Sequence, residues 1–258
     1  MFKINIRVIL FTLFILALII CSVILSVMYF VIYPSTIVKG NGNLISEKRN
    51  LTKFTKINVS DKINLNITQG TSDENLDLKA EDNIIKQIKT EVNGDTLNIS
   101  FAKTVLGLNI IDSTKEVTIN LNYKDLQEIS LSGNSILKSS NKVRSDKLKL
   151  TQSGNSSSTI ELFVNSLISN TSGLSTSFLT GSAISQEVNI SGSGKYIAND
   201  LDSKDVKISL SGDGNVKIRA DESLDINVSG SGSLEYSGNP KKLTQNISGT
   251  GSAKQISN

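Results

Sequence analysis

The chain has 258 residues, enough for one or two domains, with no histidine, no tryptophan, one cysteine and a formal charge of +3. Without histidine a Ser-His-Asp triad is impossible, and a lone cysteine, Cys21, allows neither an internal disulfide nor a cysteine metal site. Of the 27 basic residues, Lys3 and Arg7 precede a long apolar segment, so the rest sets 25 against all 24 acidic residues and lacks the basic footprint of nucleic-acid binding.

Residues 1–7 read as a short cytoplasmic tail and 8–33 as a transmembrane helix that serves as a signal anchor. The run Val8–Tyr33 carries no charge and can cross a hydrocarbon core of about 30 Å. It exceeds the apolar part of a cleaved signal, about 7–15 residues, and no small-x-small site closes it. The bulky residue before Cys21 makes a poor lipoprotein site. Tyr29, Phe30 and Tyr33 suit the membrane interface, and Pro34 ends the helix. The purely basic tail predicts a single-pass protein of the cell membrane with its C-terminal part extracytoplasmic. Lys39, Lys48 and Arg49 on the far side weaken the asymmetry, and the reverse orientation is the alternative.

From residue 38 onward the pattern is β. A Gly-x-Gly corner, Gly40-Asn41-Gly42, precedes the alternating sets Phe54, Ile57, Val59 and Ile63, Leu65, Ile67. Leu76, Leu78 and Ala80 follow, and Ile84, Ile85 and Ile88 fit a helical turn or a strand edge. Asn93-Gly94 predicts a hairpin or corner before Leu97, Ile99 and Phe101. Residues 102–116, with Val105-Leu106-Gly107-Leu108 and Ile110-Ile111, read as an insertion holding an extra strand. Val117, Ile119 and Leu121 lead on without a linker, so 38–258 reads as one continuous β domain.

From about Leu126 a Ser-Gly step recurs, at Gly133, Gly154, Gly173, Gly192, Gly212, Gly230 and Gly249. A fixed period of about 19 residues predicts a solenoid with one coil per repeat. In the copies at Gly212 and Gly230 apolar residues stand two, four and six places before the glycine and four and six after it, as in Val206, Ile208, Leu210 and then Val216, Ile218. Each coil therefore reads as strand, Ser-Gly corner, strand and a polar turn such as Ala220–Ser223. The fold class is an all-β solenoid of β-helix type, preceded by one transmembrane helix. The corner requires positive φ, which glycine adopts without steric cost. A second glycine follows in the last four copies (Gly194, Gly214, Gly232, Gly251), where the earlier ones have Ser135, Ser156 and Ser175, so the two sets of corners should differ. Gln152, Ser158, Ser169, Thr171 and Ser177 fall in inward slots, which predicts either a slipped register that uses Ile160, Leu162, Val164 or Phe178, or a bulge.

Two columns of small polar residues point outward. One is Ser132, Ser153, Ser172, Ser191, Ser211, Ser229 and Ser248; the other is Ser130, Thr151, Asn170, Asn189, Ser209, Asn227 and Asn246. The plain reading is a ladder of side chains bonding up and down the stack. The sharper one is a flat, rigid polar face that binds a cell-wall glycan, a surface protein or another ordered lattice.

Gly-x-Gly, then Arg49–Val59, Ile63–Gly70, Leu76–Phe101 and Val117–Leu121 feeding Ser-Gly repeats, resembles the head GIN domain family of auto-transporter adhesins. Ala80-Glu81-Asp82-Asn83-Ile84-Ile85 and Asn93-Gly94-Asp95-Thr96-Leu97 are similar to its most recognisable stretches. The resemblance covers nearly all of the part after the apolar run. It implies an exported bacterial β-solenoid and brings no catalytic residues. The single apolar segment departs from a true autotransporter, whose C-terminal membrane barrel has no counterpart in the sequence.

Asp200, Asp202, Asp205, Asp213, Asp221, Glu222 and Asp225 are the carboxylates open to polysaccharide chemistry, but they sit mostly in turns, where acids serve solubility and backbone bonding. Asp213-Gly214-Asn215 is a lone fragment of a calcium-binding repeat. Tyr196 and Tyr236 fall on the inward alternation and read as core. No catalytic residue, metal or cofactor is expected. Gln245, Lys254 and Gln255 form a modest polar cap on the last coil; failing that, this end is a place for self-association. The sequence thus predicts a non-enzymatic surface or cell-wall adhesion module. An envelope sensor working through a membrane partner is the alternative, ahead of a polysaccharide-active enzyme.

Overall fold

The computed structural model describes residues 6–32, 37–70, 73–102 and 110–256. Lys3, Tyr33, Pro34 and Val105–Leu108, used in the sequence reading, lie outside these residues. Ile6–Ile32 forms the helix α1, 27 residues and about 40 Å long at 1.5 Å per residue. Its stretch Phe11–Tyr29 has a mean hydropathy of 2.8, and none of it is covered by the rest of the chain. The hydroxyls of Ser22 and Ser26 donate back to the carbonyls of Ile19 and Val23, at 2.8 and 2.9 Å, as an apolar surrounding demands. A helix of this length and composition serves as a membrane anchor or as an export signal.

The β part opens with β1 (Ile37–Lys39), β2 (Leu44–Asn50), β3 (Lys56–Val59), β4 (Asn64–Gln69) and β5 (Asn75–Glu81). A single helical turn, α2 (Asp82–Ile85), buries Ile84 and Ile85 and leads to the hairpin β6 (Ile88–Asn93) and β7 (Thr96–Phe101). Gly94 holds the predicted hairpin corner at φ +63°. β8 (Ile110–Asp112) lies within the expected insertion and pairs in parallel with β1, and β9 (Thr118–Tyr123) follows.

The repeats supply β10 (Glu128–Leu131), β11 (Ile136–Ser139), β12 (Val143–Gln152), β13 (Ser157–Gly173), β14 (Thr176–Gly192) and β15 (Lys195–Gly212). They end with β16 (Asn215–Arg219), β17 (Ser223–Gly230), β18 (Ser233–Ser237), β19 (Lys242–Gly249) and β20 (Ser252–Gln255). Two parallel ladders run through the stack. The strands before the Ser-Gly corner line up as β7, β3, β10, the ends of β12 to β15, β17 and β19. Those after it line up as β9, β4, β11, the starts of β13 to β15, β16, β18 and β20.

The simple strand-corner-strand-turn coil holds only near the C-terminal end. In the middle coils the return is itself a ladder: Val143–Ser145 pairs with Leu162–Val164, these with Gly181–Ala183, and these with Leu201–Ser203. The cause is in the sequence, where Val143, Leu162, Val164, Ala183 and Leu201 add inward-facing positions and are buried. One register shift, between Phe178 and Thr180, admits an extra residue into β15 and accounts for the longer spacing from Gly192 to Gly212.

The core is a column of alternate aliphatic side chains, from Ile57, Leu65 and Leu97 to Leu224, Ile226 and Leu234. Its two ends differ. At the N-terminal end antiparallel strands close the ladders, β6 on β7, and β5 on β9 with β2 beyond it. At the other end nothing among the described residues covers β19 and β20. Leu243 and Ile247 occupy slots that are fully buried one coil earlier, yet they remain 45% and 43% exposed.

Candidate functional site

Main-chain pairing sets the two predicted columns in register. Ser130, Thr151, Asn170, Asn189, Ser209, Asn227 and Asn246 are consecutive partners, and the pairing continues into Asn58 and Asn98. Ser172, Ser191, Ser211, Ser229 and Ser248 pair likewise, while the amides of Ser132 and Ser153 bond the carbonyls of Val59 and Leu131 in the coil before each. No member is fully buried. Within the column the Asn58 Nδ2 donates to Asn98 Oδ1 at 3.2 Å, Asn189 to Asn170 at 3.1 Å and Asn246 to Asn227 at 3.0 Å. Each such pair uses one N–H and one lone pair and stabilises the stack by about 1 kcal/mol, leaving a second N–H on each donor amide. The hydroxyls of Ser132 and Ser172 reach main-chain carbonyls of the preceding coil at 3.3 and 3.4 Å. The columns are therefore structural ladders with unspent hydrogen-bonding capacity. Six of their members, Ser209, Ser211, Asn227, Ser229, Asn246 and Ser248, line a cleft of about 610 Å³ over the last three coils.

The corners carrying these serines come in two forms, as the second glycine predicts. Where serine stands two places on, the corner glycines have φ of +71 to +75°; where glycine stands there, φ is +104 to +119°. In the first form the serine points inward. Ser135 Oγ bonds the Ser132 carbonyl at 2.7 Å, and Ser175 Oγ bonds that of Ser172 at 3.2 Å. In the second form the space belongs to the core, and a Cβ on Gly214 or Gly232 would lie 2.8 or 2.6 Å from the Leu210 methyls.

The polar residues in inward slots do not slip outward. Gln152, Ser158, Ser169, Thr171 and Ser177 are all buried, while Phe178 faces out at 45% exposure. Gln152 satisfies two of them, because its Oε1 accepts from the hydroxyls of Ser158 (2.9 Å) and Ser177, and its Nε2 donates to the Thr176 carbonyl at 3.3 Å, whereas the buried hydroxyls of Ser169 and Thr171 have no hydrogen-bond partner among the described residues. Two coils further on, Gln186 repeats the device, accepting from Tyr196 at 2.7 Å and donating to Ser203. Tyr196 is thus a core residue, and its phenol is pushed above the usual range by burial. Tyr236 is core as well.

The acidic residues do not converge on one centre. Asp202 and Asp221 flank the Arg219 guanidinium at 3.4 Å each, whereas Asp205 and Asp225 line a separate shallow cleft of about 380 Å³ with Glu187, Lys147 and Lys207. No group of three or more possible metal ligands occurs among the described residues. Sequence reasoning missed Glu81. Its carboxylate is buried beneath the Gly-x-Gly corner and accepts from Thr114 Oγ1 (2.6 Å), Gly42 N (2.6 Å), Thr114 N (3.0 Å) and Ser113 Oγ (3.0 Å). These bonds, the Thr114 hydroxyl foremost and then the Gly42 amide, hold its pKa down to about 2. Gly40 leaves room for this carboxylate, because a Cβ would lie 2.0 Å from Glu81 Oε2 and would displace it.

Parallel coils, glycine corners and a regular polar outer face define a β-solenoid, a class that presents an extended surface of repeated side chains. The sequence pattern of the family described as "Putative auto-transporter adhesin, head GIN domain" matches residues 53–240, and the chain belongs to that family. Solved structures agree in fold. A "putative adhesin" from Bacteroides fragilis superposes with a TM-score of 0.79 at 26% identity, over 85% of this chain and all of that one. A "putative lipid binding protein" from Parabacteroides distasonis gives 0.70 at 21% identity, over 85% and 99%. A "putative adhesin" from Parabacteroides merdae gives 0.66 at 22%, over 86% and 99%. No curated protein matches the sequence.

Proposed function

We propose that this protein is a non-enzymatic adhesion module, held at the membrane by α1 with its solenoid outside the cell, that contacts cell-wall glycan or a surface protein through the outward Ser/Thr/Asn columns. The observation that carries the reading is the coincidence of six column residues with the cleft over the last three coils. Repeated hydroxyls and amides, spaced by about 4.8 Å from coil to coil, match a ligand that itself repeats. Their side chains are short and tied to neighbours, so little conformational entropy is lost on contact. Membership of an adhesin-like family supports the same reading.

The test is co-sedimentation of the full chain, in neutral-detergent micelles, with purified cell-wall and polysaccharide fractions. It is run beside a variant carrying Ser209→Lys, Asn227→Lys and Asn246→Lys. These positions face outward, so the variant should fold and lose binding. Binding unchanged by the substitutions moves the contact off the columns, and no binding to any fraction leaves the columns as ladder alone.

A further inference from the structure

Positive charge that the sequence spreads over distant segments is gathered where the first coils meet. A cleft of about 580 Å³ there is lined by Lys53, Lys56, Arg144, Lys147 and Lys149 against Asp125, Glu128 and Asp146. An adjoining cleft of about 530 Å³ shares Arg144 and Asp125 and adds Lys124 and Lys142. Together they hold an excess of four positive charges, in a chain whose part beyond the apolar run has an excess of one.

Four of these lysines are spoken for. Lys149 pairs with Glu128 at 2.9 Å, Lys56 with Asp95 at 3.1 Å, Lys142 with Glu161 at 3.0 Å and Lys124 with Asp73 at 3.5 Å. Asp146 accepts the Asn165 amide at 2.6 Å. Lys53, Arg144 and Lys147 form no ion pair among the described residues. The Arg144 guanidinium lies over the Phe163 ring, 4.9 Å from its centroid, and that ring is still 53% exposed. The stacking fixes the arginine in the wall common to both clefts and sets an apolar platform beside it.

We propose that this depression binds an anionic glycopolymer, with carboxylate or phosphodiester groups on Lys53, Arg144 and Lys147 and a sugar face against Phe163. A concave site admits a chain segment, whereas a flat bilayer would touch only its rim. Exposed cations attract such a polymer over roughly a Debye length, about 8 Å at physiological salt. The site lies on the first coils, apart from the cleft of the last three, so it stands or falls independently of the polar columns.

Fluorescence anisotropy of the full chain in neutral-detergent micelles tests it, with labelled polygalacturonate and poly(glycerol phosphate) as the carboxylate and phosphodiester arms. Binding to at least one arm is expected, weakening as salt rises. The variant Lys53→Glu, Arg144→Glu, Lys147→Glu should bind roughly tenfold or more weakly. A charge-matched control, Lys195→Glu, Lys204→Glu, Lys241→Glu, should bind as the parent does. Phe163→Ser keeps every charge and needs no refolding of the cleft; it should weaken binding several-fold. The proposal is overturned by no binding in either arm, by equal loss in the control, or by undiminished binding in Phe163→Ser. Equally tight binding of polyglutamate, or binding confined to phosphatidylglycerol vesicles, overturns it as well.

Discussion

Replacing one corner glycine separates the two things that glycine does in this fold. Gly173 has φ +73°, and a Cβ built on it would lie 2.6 Å from the Gly154 carbonyl oxygen in the coil before. Gly94, in the β6–β7 hairpin, has a similar φ of +63° but nothing within 4 Å of its Cβ position. Gly94→Ala therefore bears only the left-handed backbone penalty, about 1–2 kcal/mol. Gly173→Ala bears the same penalty and must also push two coils apart or break a main-chain bond, for a total of about 3 kcal/mol or more. Urea unfolding of the full chain in micelles, followed by far-UV circular dichroism, reads both. For a domain of this size about 1 kcal/mol moves the melting temperature by roughly 2–4 °C, so the two variants should separate clearly in a thermal scan as well. If Gly173→Ala cost no more than Gly94→Ala, close contact between successive corners would not be what selects glycine.

The open end gives a second contrast. Leu224→Ala, in a fully buried slot, should cost about 2–5 kcal/mol, and Leu243→Ala, its partner in the next coil but 45% exposed, under about 1.5 kcal/mol by the same urea assay. Gln152→Ala should cost about 2–4 kcal/mol, because it strands the hydroxyls of Ser158 and Ser177 as well as leaving a void. Adding Ser158→Ala and Ser177→Ala should recover part of that loss, which a double-mutant comparison would detect. Glu81 supplies a pH dependence. Its folded pKa of about 2 lies below the ordinary value of 4.5, so its stabilisation is complete above pH 4.5 and is lost as pH falls toward 2. Glu81→Gln should be less stable than the parent at pH 7, with the gap in melting temperature closing across that window.

The features legible in the sequence are those with a local cause. Alternation of Val206, Ile208 and Leu210 fixes an inward face within six residues, and a Ser-Gly step marks a corner because positive φ is a demand on one residue. The outward columns follow from the same alternation. What depends on distant partners was hidden. Gln152 looks misplaced until Ser158 and Ser177 are set around it, and Glu81 is one acid among 24 until the strands bring Gly42 and Thr114 to it. Arg144 and Lys147 reach Lys53 only because β12 stacks on β10, which stacks on β3. The third ladder was missed because Val143 and Leu201 lie where turns were expected, and short apolar stretches there carry no corner residue common to all coils.

The unequal ends of the ladders also order the assembly of the chain. β3 is bonded on one side to a strand 40 residues later and on the other to residues 73 later, so the N-terminal block interlocks and forms as one unit. From there each coil meets the next only 19 residues on, as Asn227 meets Asn246. A chain emerging N-terminus first thus builds its most entangled part early and then extends by zippering, each finished coil being the template for the one that follows.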